Sequence, residues 1–193
     1  MSKVRNCEGC EYLNKKRKTN PCNKDLPAVY DATNNIYIRP NKCKEKTKKV
    51  DPKKEFKKLK EQVIDLFQMY IRYRDNWKCC CCGFFISPKD KESRKLIHAG
   101  HFVSRTFENL LLDEKNCHAQ CRTCNGKQDW LGINPKYIIY MFNKYGLDVF
   151  SYLDKKMEEK VVLTPEDWLK LKDHWQNKLD KEIKRYNDEF GNK

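Results

Sequence analysis

The chain has 193 residues, enough for one ordinary domain with an appendage or for two small ones. Its 41 Lys and Arg outnumber 27 Asp and Glu, a net charge of +14 that points to a polyanionic partner, nucleic acid or an acidic membrane surface. Nothing in it is long and apolar enough to span a bilayer, and the N-terminus MSKVRNCEGC lacks the apolar core of a signal peptide, which argues against a membrane or secreted protein. A reducing cytoplasm is therefore the expected compartment. There, eleven cysteines, an odd number, speak for metal ligands over disulfides.

The charge is uneven. Residues 1–60 hold eighteen basic and seven acidic side chains, so the N-terminal third is the main electrostatic handle. Residues 1–50 mix scattered cysteines with lysine runs and turn formers, and read as a loop-rich, basic segment. Cys7 and Cys10 form a CxxC pair, and Cys22 and Cys43 follow at long intervals. A second zinc site and free thiols in a flexible arm are both compatible with that spacing. Lys15, Lys16, Arg17 and Lys18, with Lys48, Lys49, Lys53, Lys54, Lys57 and Lys58 further on, are candidates to neutralise DNA phosphates; a solvated charge run is the alternative.

Asp51-Pro52 places an N-cap residue before a proline at the first helical position. Phe56, Leu59, Val63, Leu66, Phe67, Tyr70 and Ile71 then recur at three- and four-residue spacing, which predicts an amphipathic helix ending near Asn76.

WKCCCCGFFI follows, with four adjacent cysteines. Only Cys79 and Cys82 have two residues between them, the spacing that lets a tight turn aim two sulfurs at one metal, and Gly83 suits the backbone after such a knuckle. Cys121 and Cys124 repeat the spacing about forty residues on. Two such pairs predict a closed, structural four-thiolate zinc site. Cys80 and Cys81 fall inside the turn as bystanders, and Cys117 is the residue best placed to substitute for a ligand. Buried reduced thiols are the alternative.

Three of the four histidines lie between the two pairs, in a segment with strand character around KLIHAGHFV. CRTCNGKQDW reads as starting a helix just after its last cysteine. Asn134-Pro135 predicts a helix through Tyr137, Ile138, Met141 and Phe142 that ends at Gly146, and Asp148 is expected to cap a short one. TPEDW resembles a capping box with Asp167 in place of Glu. Trp168, Leu171, Trp175, Leu179, Ile183, Tyr186 and Phe190 then form one long stripe, either core or the seam of a homodimer. Boundaries are expected near 1–50, 51–160 and 161–193, the last being the C-terminal amphipathic helix.

A CxxC knuckle, a histidine at a strand end, an asparagine five residues before a second CxxC and an asparagine directly after it together resemble the HNH, or ββα-metal, nucleases. More narrowly, FQMYIRYRD, CCCCG, HAGHF, LDEKNCHAQCRTCN and YIIYMFNKYG are similar to the phage NinG family over about residues 55–155. The resemblance implies an α+β protein, a small zinc-clamped ββα-metal core embedded in helices. It implies metal-dependent cleavage of branched DNA, such as Holliday junctions or D-loops, in phage recombination, with phage recombination proteins as further partners. The host would then be a bacterium. Carried over by position, His101 takes the general-base place, Asn116 that of the middle asparagine that orients the loop, and Asn125 that of a ligand for Mg²⁺ or Mn²⁺. His98 stands where relatives carry an acidic residue and is the candidate for a second ligand. Phosphodiester hydrolysis needs such parts: a base near neutrality to activate water, and positive charge for the phosphorane and the leaving oxygen. A non-catalytic zinc module for DNA or recombination proteins, and an RNA-binding zinc protein, are the rival readings.

Overall fold

The computed structural model describes residues 29–31, 36–38, 51–131 and 134–191. The cysteines at 7, 10, 22 and 43, and the basic residues from Lys15 to Lys49, lie outside them. The chain divides into two compact units, 1–55 and 56–193. In the first, β1 (Val29–Asp31) pairs antiparallel with β2 (Ile36–Ile38), Val29 opposite Ile38. The sequence reading of 1–50 as loops overlooked this hairpin, because three-residue strands are too short to show an alternation.

Helix α1 (Pro52–Arg74) starts where the proline predicts, and the Asp51 carboxylate accepts the N–H of Lys53 at 3.0 Å. Its stripe buries Val63, Phe67, Tyr70 and Ile71. The helix ends in two non-glycine residues with positive φ, Asn76 at 54° and Trp77 at 55°. Left-handed backbone is unfavourable for such side chains. Burial of the Trp77 indole, edge-on to Tyr73 at 5.5 Å, offsets that cost and fixes the turn.

After α2 (Ser93–Leu96), β3 (Ile97–His101) pairs antiparallel with β4 (Cys117–Cys121), and α3 (Arg122–Leu131) follows β4 without a break. The register sets Ile97 opposite Cys121, His98 opposite Gln120, Gly100 opposite His118 and His101 opposite Cys117. Side chains alternate across a strand, so the hairpin has two unlike faces. Ala99 and Cys117 pack on the apolar cluster of α1, and Ile97 and Ala119 on a second cluster around Trp77. His98, Gly100, His118 and Gln120 look the other way. α3 begins inside the second CxxC, not after it, so Cys124 and Asn125 belong to its first turn.

α4 (Pro135–Tyr145) has the expected start and stop: Asn134 accepts the N–H of Lys136, and Gly146 takes a φ of 75°. α5 (Asp148–Glu158) is capped by Leu147 and not, as expected, by Asp148; the aspartate is the first helical residue, where its charge still suits the helix dipole. α6 (Pro165–Phe190) opens with the full capping box between Thr164 and Asp167. Its stripe lies against α1 in this same chain, with Trp175 4.7 Å from Phe67 and 5.3 Å from Tyr70 by ring centroids. Trp168, Trp175 and Tyr186 of that stripe thus belong to the protein's own core, while Phe190 at its end stays 37% exposed. The result is a helix-dominated protein with two two-stranded sheets among the described residues, and no described helix is long and apolar enough to cross a membrane.

Candidate functional site

The knuckle is shaped by its backbone. Cys79 donates its N–H to the Phe84 carbonyl at 2.7 Å, Gly83 donates back to Cys79 at 2.9 Å, and Gly83 adopts a φ of 74° that favours glycine. The Cys80 N–H bonds the Ala119 carbonyl at 2.8 Å, which fastens the knuckle to β4. These constraints bring the sulfurs of Cys79, Cys82, Cys121 and Cys124 within 4.8 Å of one another. Cys82 and Cys121 are 3.7 Å apart. A tetrahedron with Zn–S bonds of ~2.3 Å has edges of roughly 3.8 Å, so the residues fit a structural zinc.

The electrostatics agree with that fit. The hydrogen bond that the Cys79 thiol donates to Cys81, together with burial, pushes Cys79 up to about 11. Burial also raises Cys121 and Cys124. Crowded, half-desolvated thiols hold their protons until a cation replaces them. Cys117 is not a substitute ligand: it is fully buried in the α1 cluster, outside the group of four.

Beyond the clamp, the structure separates residues that the sequence analysis grouped together. His98 and His101 are an odd number of positions apart on β3, so their rings leave opposite faces. His98 Nε2–H donates to the Lys95 carbonyl at 3.0 Å, and its Nδ1 lies 3.4 Å from the Asn125 amide nitrogen. Asn125 reaches this position from the first turn of α3. Between them the strand narrows at Gly100, where a Cβ would fall 1.8 Å from Gln120 Oε1 and 2.7 Å from Asn125 Oδ1. Gln120 is fully buried and its Oε1 has no hydrogen-bond partner, while its amide nitrogen donates to Cys81 Sγ at 3.2 Å. His98, Asn125 and Gln120 therefore form a cradle of neutral donors around a bare backbone. No carboxylate completes it: the four cysteines are the only metal-ligand group of His, Cys, Asp or Glu among the described residues.

His101 is set by the loop between the strands. Its Nε2–H donates to the Leu111 carbonyl at 2.9 Å, so the neutral ring carries its lone pair on Nδ1. Burial holds its pKa below the usual histidine value, which keeps it neutral at cellular pH. Asn116, fully buried, builds that loop: Oδ1 accepts the Val103 N–H at 2.7 Å, and Nδ2 donates to the carbonyls of Val103 at 3.1 Å and Leu110 at 3.0 Å. Asn116 thus places the Leu111 carbonyl that orients His101.

Sequence reasoning missed Gln120 and the role of His118. The latter is fully buried; Tyr137 donates to the Gly100 carbonyl at 3.0 Å and so accepts from His118 Nδ1 at 3.0 Å, while His118 Nε2 accepts from Tyr145 at 2.9 Å. The glycine inside HAGH was a usable signal, since glycine in a strand marks close approach by another group. Lys53, Lys54, Lys57 and Lys58 are all exposed on α1, in two i,i+4 rows away from the Phe56 stripe.

Fold and site together define a helical protein around a β-hairpin–helix unit, clamped by four cysteines that fit zinc. The chain belongs to the NinG family: the family described as Bacteriophage Lambda NinG protein matches residues 7–186. Membership implicates it in phage recombination. Neither the curated proteins nor the solved structures contain a significant match.

Proposed function

We propose that the protein is a divalent-metal-dependent endonuclease for branched DNA in phage recombination. The observation that carries the reading is the β3–β4–α3 unit. It sets a neutral, carbonyl-anchored histidine at the end of one strand and Asn125 in the first turn of the helix, on opposite sides of Gly100. His101 Nδ1 would accept the proton of the attacking water. Asn125 Oδ1, Gln120 Oε1 and the His98 ring would hold the cation, which supplies charge to the phosphorane and the leaving 3′ oxygen. Three neutral donors with a nitrogen among them suit Mn²⁺ better than Mg²⁺, which prefers carboxylate and water oxygens.

The separation of His98 and His101 and the missing carboxylate favour a second reading, a zinc-clamped DNA-binding accessory without cleavage. One experiment divides the two. Purified protein is incubated with synthetic Holliday junctions, D-loops and linear duplex, with Mn²⁺ or Mg²⁺. Nicking of branched substrates, lost in His101→Ala with zinc content and junction binding retained, is the expected result. If wild type and His101→Ala bind junctions equally and neither cuts with either metal, the accessory reading stands.

A further inference from the structure

We infer that the cleft beside the cysteine knuckle binds an unpaired nucleotide and is the element that distinguishes branched from continuous duplex DNA; this rests on the DNA reading above and gives it a specificity residue, Phe84. The turn that aims Cys79 and Cys82 also pushes Phe84 and Phe85 outward, leaving them 43% and 54% exposed. Gly83 holds the left-handed bend that does so, and the Phe84 carbonyl is tied to Cys79, so the exposed ring sits on backbone fixed by the clamp. Phe84 forms one wall of a cleft of about 740 Å³, with Leu96 and Pro135 as further apolar surface.

The cleft's charge selects its occupant. Arg122, Lys127 and Lys136 line it, all three exposed, none in an ion pair among the described residues, and no described carboxylate lines it with them. Thr123 and Asn134 add polar groups. An apolar peptide has no use for three unpaired cations, and a phosphate alone has none for an aromatic wall. A nucleotide uses both, a flat base on the ring and a phosphate on the cations. Continuous duplex keeps its bases stacked inside, whereas a branch point offers unpaired or readily unstacked ones. The cleft borders Cys82, Cys121 and Cys124, so a base held there lies against α3, the helix that carries Asn125.

The test is binding without cleavage. Full-length protein, zinc-loaded, is titrated with a forked duplex carrying 2-aminopurine in the unpaired arm next to the fork, and with blunt duplex of the same composition, in EDTA-free buffer lacking Mg²⁺ and Mn²⁺. Wild type is expected to prefer the fork and to change the 2-aminopurine fluorescence on binding. Phe84→Ala should remove the fluorescence change and lower fork affinity about tenfold while blunt-duplex affinity holds, and Phe84→Trp should restore both. Zinc content and circular dichroism verify that Phe84→Ala is folded; Arg122→Gln with Lys127→Gln provides an independent arm, expected to weaken the fork and flatten its salt dependence. If wild type prefers the fork but Phe84→Ala and the double variant match it in affinity and fluorescence, the cleft inference is overturned and the DNA reading survives. If wild type binds neither DNA, both are overturned.

Discussion

The two faces of the β3–β4 hairpin are held by different physics. One face presents Ile97, Ala99, Cys117 and Ala119 to apolar neighbours contributed largely by α1 and α6, where Phe67, Tyr70 and Trp175 interlock. Stability there follows area removed from water, and many apolar side chains would serve. The other face presents His98, Gly100, His118 and Gln120 to α3 and α4, with Tyr137 bridging the Gly100 carbonyl and His118. Stability there depends on keeping the paired buried polar atoms of His118 and Tyr137 paired, and few substitutions do so. The proposed cation cradle of His98, Gln120 and Asn125 lies on the second face, where donors and acceptors are in place, while His101, opposite Cys117, leaves the first face beside its rigid apolar backing.

The clamp joins the two faces, so breaking it should have the largest effect. Cys82→Ser or Cys121→Ser is expected to abolish zinc binding and to unfold residues 79–125, since structural zinc contributes on the order of ten kcal/mol of folding free energy. Cys80→Ser should keep the zinc content of the wild type and a near-native melting temperature. Metal analysis with hydrogen exchange over the 79–125 region checks both, and a zinc-free wild type purified without chelators would refute the clamp.

On the apolar face, Trp175→Ala should cost about 3–5 kcal/mol in urea unfolding. Trp175→Phe should cost far less, because the lost indole N–H is buried without a partner and the ring contacts with Phe67 and Tyr70 are largely kept. Neither should alter zinc content.

This contrast also explains what could be read in advance. The apolar face comes from periodic stripes on α1 and α6 and from punctuation such as Asp51-Pro52 and Thr164 to Asp167, all local signals; the four cysteines follow from spacing. The polar face depends on register. That His98 and His101 diverge, that Gln120 lies opposite His98, and that Asn116 shapes the loop carrying the Leu111 carbonyl all follow from which residue pairs with which across a fifteen-residue connection. CHAQC, with its histidine and glutamine fully buried, also gives no apolar alternation from which to read β4 as a strand.

Protonation separates the faces further. Burial drives His118 down to about 3, and the nearby Arg74 and Lys144 add to that shift while Asp75 opposes it. A folded-state pKa below the unfolded value near 6.5 means that the stabilisation is fully present above pH ~6.5 and is lost as pH falls toward 3. His118→Gln should therefore be less stable than wild type at pH 7.5, and the gap should narrow at pH 5. The change is of the order of one to two kcal/mol over that interval, from ~1.4 kcal/mol per pH unit. Urea midpoints at the two pH values, with zinc release followed separately, read it out. A gap that stays constant would mean that His118 does not titrate on unfolding.

The smallest effect belongs to the far end of the apolar face. Thr164 Oγ1 accepts the N–H of Asp167 at 3.2 Å, and the Asp167 carboxylate accepts the N–H of Thr164 at 3.0 Å. The box sits at the exposed start of α6, four residues before the buried Trp168. Thr164→Ala removes one arm and should cost about 1 kcal/mol, the usual cost of a lost N-cap. The variant should lower the urea midpoint without changing zinc stoichiometry, the His118 pH profile or junction affinity, because the cap touches only the helix that backs the hairpin. A loss of zinc in Thr164→Ala would show that the two faces are not energetically separable, and that α6 docking is itself required to close the clamp.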